Sequence, residues 1–82
     1  PPPGVCFAMV HGDMPVLSGP NPAAGVVANL SADDYVEATG RSGTDWTQVD
    51  LNVGSEGLDQ QGWITGYIDF NGPCQDLPEL QP

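Results

Sequence analysis

The apolar runs of this chain are short, and each ends at turn-forming residues. "VCFAMV" (5–10) lies between Gly4 and Gly12 and is too brief for a helix. "VVANL" (26–30) reads as a strand and "SADD" (31–34) as a turn, since Ser and Asp side chains bond nearby backbone. "YVEATGR" (35–41) alternates, with Val36 and Ala38 on one face and Tyr35, Glu37 and Thr39 on the other. "SGTD" leads into "WTQVDLNV" (46–53), where Thr47, Val49 and Leu51 share a face opposite Trp46, Gln48 and Asp50. A polar, glycine-punctuated loop over 54–62 precedes "WITGYIDF". Residues 13–25 hold three prolines and two glycines, so they read as a loop with at most a short edge strand around Val16. This spacing of strands and turns predicts an all-β domain, a small barrel or sandwich.

A domain of 82 residues has little interior, because it buries only about 60% of the surface its unfolded chain exposes. Cys6 and Cys74 lie near opposite ends, and a bridge between them would contribute roughly 4 kcal/mol by the chain-entropy estimate. The alternative is two buried thiols acting as small hydrophobes. The bridge is the reading adopted, and it points to an oxidising, extracellular setting. Proline-rich stretches at 1–4 and 75–82 read as linkers around a domain at 5–74, so the chain reads as a piece of a longer protein.

Eleven acidic residues oppose one basic residue, Arg41, giving a formal charge of −10. Such a chain repels phosphate backbones and anionic lipid heads, so nucleic acid and membrane surfaces are not expected partners. The acidity does not imply disorder, because two Trp, two Tyr, two Phe and many Val supply a core.

In order, "VLSGP" (16–20), "VVANL" (26–30), "VEATG" (36–40), "WTQV" (46–49) and "GWI…YI" (62–68) resemble the bacterial SH3 domain, SH3b, over roughly residues 16–70. Leu17 stands where that family usually has Arg, the loop before Gly62 is longer, and one residue fewer separates Ile64 from Tyr67. The resemblance implies an SH3-like barrel of about five short strands, with "GVCFAMV" added as an N-terminal edge strand. It also implies a non-catalytic module of a secreted or envelope protein, monomeric as an isolated domain and without cofactor. Its expected partner is a peptidoglycan stem or bridge peptide, or another protein if the domain is a spacer without wall affinity. The choline-binding repeat also features "GW" but needs tandem copies, and this chain has one.

Tyr35, Trp46, Trp63 and Tyr67 are the candidates for a ligand groove of the kind that holds extended peptides. Parity favours Trp46 as the binding residue and Trp63 as core, with Gly66 in a tight turn and Ile68 and Phe70 returning inward. Other chemistry is thin. Cys6, His11 and Asp13 do not have zinc spacing, and no metal site is expected. His11 reads as a solvated loop residue, and no serine sits in a nucleophile motif. Asp33, Asp34, Glu56 and Asp59 lack the alternating ligands of a calcium loop. "Asn29-Leu30-Ser31" matches a glycosylation sequon but sits at a strand end.

Overall fold

The computed structural model describes residues 5–54, 60–75 and 77–80. Seven strands form one antiparallel sheet: β1 (Phe7–Val10), β2 (Met14–Leu17), β3 (Val26–Leu30), β4 (Tyr35–Ser42), β5 (Trp46–Gly54), β6 (Gln61–Ile64) and β7 (Ile68–Asn71). Their order across the sheet is β3-β2-β6-β5-β4-β1-β7. The chain is all-β, as its short, turn-bounded runs predict. The Cα radius of gyration is 11.3 Å, close to the roughly 12 Å of a compact domain this long.

Alternation decides which residues are inside. Val36 and Ala38 of β4 and Thr47, Val49 and Leu51 of β5 are all buried, on the faces that their parity assigns. The four apolar ones, Val36, Ala38, Val49 and Leu51, join Cys6, Ala8, Val10, Val16, Leu30 and Ile64 in one enclosed cluster, with Ile68 and Leu77 packed against it. One sheet face therefore surrounds a common core, while Phe7 and Trp63, although buried, are not members of that cluster.

The "SADD" turn forms as expected. The Ser31 amide donates to Asp34 Oδ2 at 2.8 Å, and the Asp34 amide donates to the Ser31 carbonyl at 3.0 Å. Asp33 takes a left-handed φ of 72°, which aspartate tolerates better than most residues. The turn is also clipped to the end of β1, through Val10 N–H to Asp34 O at 3.1 Å and Asp33 N–H to Val10 O at 2.9 Å.

Three expectations need correction. Residues 5–10 are not an edge strand: β1 lies between β4 (Ala8↔Val36) and β7 (Ala8↔Phe70). The chain after Gly66 returns along β1, a pairing some sixty residues distant that local pattern does not reveal. Residues around Val16 form a full strand, β2, paired along its length with β3 and touching β6 at Leu17↔Trp63. Pro15 is admitted because a residue without an N–H survives where the ladder does not need one. Residues 77–80, read as linker, lie against β4 instead. The Arg41 amide donates to the Pro78 carbonyl at 2.9 Å and the Leu80 amide to the Arg41 carbonyl at 2.7 Å. The tip of the 54–61 loop falls at residues outside the described set, as do Glu56 and Asp59.

Cys6 and Cys74 are disulfide-bonded, with Cα atoms 5.0 Å apart across a sequence separation of 68. The bond fixes the chain entering β1 to the chain leaving β7. Between them Gly72 has φ +100°, and a Cβ there would run into the Val5 carbonyl oxygen.

Two stability measurements check this arrangement. Reduction, or the C6S/C74S pair, should lower unfolding free energy by roughly 4 kcal/mol in urea titration. Gly72→Ala, with the disulfide intact, should cost at least about 2 kcal/mol, because left-handed strain and the Val5 clash add.

Candidate functional site

The turn between β4 and β5 is held from both sides. The Thr65 hydroxyl donates to the Asp45 carbonyl at 2.6 Å, tying the turn to the end of β6. On the other side Arg41 Nη1 donates to the Gly43 carbonyl at 3.2 Å and to Glu79 Oε1 at 2.6 Å, while the Gly43 amide donates to Glu79 Oε2 at 2.8 Å. Gly43, with φ +61°, gives the turn its left-handed residue. Trp46 follows this braced turn directly, so its backbone is anchored even though its ring is only half-buried.

Beside Trp46 lies an open depression of about 570 Å³, within the range of small-molecule and peptide clefts. Its lining is chiefly apolar: the rings of Trp46 and Phe70, Leu77 and the Cys74 end of the disulfide, with Thr44 and Arg41 at the polar side. Phe70 keeps 47% of its surface exposed, so it lines the depression rather than returning to the core as expected. The charge of Arg41 is already matched by Glu79, and the site therefore offers no unmatched cation.

The four aromatics proposed as a groove do not share one cavity. Tyr35 opens the eight-residue β4, whereas Trp46 pairs with Ser42 at its far end, so roughly 20 Å of strand separates them. Tyr35 lies edge-on to Phe7, with ring centroids 5.4 Å apart, over a second, smaller hollow of about 120 Å³. Trp63 is 6% exposed; it sits opposite Gln48 of β5 and Leu17 of β2, on the same sheet face as Trp46, but lines neither hollow. Tyr67 is 74% exposed in the turn before β7, edge-on to His11 at 4.7 Å. Gly66 occupies that turn with φ +119°.

His11 is more than a solvated loop residue. Its Nε2 lies 2.6 Å from Asp69 Oδ2, which with Tyr67 links the end of β1 to β7. Thr39 reaches across β5, its hydroxyl donating to Gln48 Oε1 at 3.0 Å, so the polar residue beside Trp46 is held in place. Among the described residues, no group of three or more His, Cys, Asp and Glu could hold a metal ion.

Sequence reasoning missed Phe70, Leu77 and Glu79 as parts of this region. Phe70 reads as a residue that returns to the core with the last strand, and the other two stand in a stretch whose composition reads as linker. No protein-family model, curated protein or solved structure matches the chain.

The contrast between the two tryptophans is directly measurable. Removing the half-buried ring with Trp46→Phe should leave a blue-shifted emission from Trp63, with acrylamide quenching reduced at least about twofold. Unchanged quenching would show that Trp46 is not the accessible ring.

Proposed function

We propose that this domain is a non-catalytic, extracellular binding module that receives an extended peptide in the Trp46–Phe70 depression. The observation that carries the reading is the meeting of two accessible aromatic rings in one concave place beside a braced turn. Aromatic faces give contact area at little entropic cost, and Trp and Phe rings take both apolar side chains and cationic amines. The disulfide supports an oxidising compartment. The order of the SH3b-like motifs supports a wall-directed module, whose ligand is a peptidoglycan stem or bridge peptide.

Charge narrows the ligand. With −10 on the domain and its one basic residue matched by Glu79, an anionic polymer is repelled. A peptide carrying free amines is attracted instead, its apolar part against Trp46 and Phe70 and its amine toward the surrounding carboxylates. The second reading, a protein-interaction or spacer module without wall affinity, is favoured by the smaller Phe7–Tyr35 hollow, a separate apolar spot distant from Trp46.

The test is an NMR titration with soluble peptidoglycan fragments, following both indole N–H signals. Saturable shifts of Trp46, Phe70 and Thr44 are expected, with Trp63 nearly still. Trp46→Ala should abolish them while costing only about 1 kcal/mol of stability, since the ring is half-buried. Silence at millimolar fragment would overturn wall binding and favour the second reading.

A further inference from the structure

Strand β1 covers only part of the β4 edge. Its last bond there is Ala38 N–H to the Cys6 carbonyl at 2.9 Å, and beyond it the edge from Gly40 to Gly43 is taken by residues 78–80. These run parallel to β4 in an isolated bridge, Arg41↔Glu79. The fit is specific at three positions. Pro78 lacks an N–H, and here it contributes only its carbonyl, to Arg41. Glu79 places one carboxylate oxygen on the Arg41 guanidinium and the other on the Gly43 amide. Leu80 lies where a Cβ of residue 40 would be, so Gly40 opens a slot for it.

We infer that Gly40–Gly43, the end of β4 and the first residue of its turn, is a recognition site for an extended Pro–acidic–Leu segment, filled in cis by residues 78–80 and open to the same segment from a partner. Arg41 sets the chemistry. It is the only basic residue in the chain, and its pairing with a carboxylate is complemented by a backbone N–H, an arrangement that a neutral side chain satisfies less well. The hold on the cis segment rests on two backbone bonds, the Gly43 amide bond to Glu79, the Leu80 side chain in its slot, and an ion pair whose side chains are 48% and 39% exposed. Exposed pairs of this kind contribute little, because solvent and salt screen them. What favours the cis segment is its tether, because Cys74 is fixed by the disulfide only four residues before Pro78. A site this well formed with an occupant this lightly held is an exchangeable one. It does not depend on the Trp46 depression being a ligand site.

The experiment uses the full chain carrying Glu79→Gln, which weakens the cis contact without removing it, and a capped Leu-Pro-Glu-Leu peptide. An unchanged Trp63 indole position reports that the fold is kept, and Leu80→Ala serves as a second weakened chain. Saturable shifts of the Arg41 and Gly43 amides are expected, with Kd on the order of 1 mM. The Leu-Pro-Gln-Leu peptide should bind at least about fivefold more weakly. No shift at Gly43 in either chain, or equal binding of the two peptides, would overturn the inference.

Discussion

The Cys6–Cys74 bond is the constraint on which the rest of the architecture depends. It joins the residue before β1 to the third residue after β7, and those two strands are neighbours in the sheet. β7 is a four-residue edge strand, and the disulfide ties the chain that leaves it back to the start of β1. With it, β1 is enclosed on both sides and can deliver Ala8 and Val10 to the core. A domain of this size has too little interior to fix both chain ends by packing alone, so a covalent link replaces part of the missing apolar burial.

The candidate site grows out of the same closure. Cys74 lines the depression, Phe70 reaches it from β7, and the chain after Cys74 brings Leu77 to its wall and Glu79 to Arg41. The β4–β5 turn is thus contacted by Thr65 at the end of β6 and by Glu79 from the C-terminal stretch, and Trp46 follows that turn. Pre-organisation of this kind lowers the entropic cost of binding, which matters for a shallow, open surface.

Electrostatics act over the whole domain and also at one point. A formal charge of −10 repels anions at long range, whereas at Arg41 the Glu79 carboxylate is held by an ion pair and by the Gly43 amide.

The sequence by itself determined the strands of the middle of the chain, the inward faces of β4 and β5 and the "SADD" turn. These rest on local causes: period-two alternation, side-chain bonding in turns and the limits on glycine and proline. Tertiary structure alone decided that β1 is interior, that Phe70 faces a depression, that Tyr35 and Trp46 stand apart and that residues 77–80 belong to the fold. Each of these depends on partners far apart in sequence, such as Phe7 with Asn71 or Arg41 with Glu79. Composition is blind to such pairings. A proline-rich stretch reads as linker until a strand edge and a charge are found waiting for it.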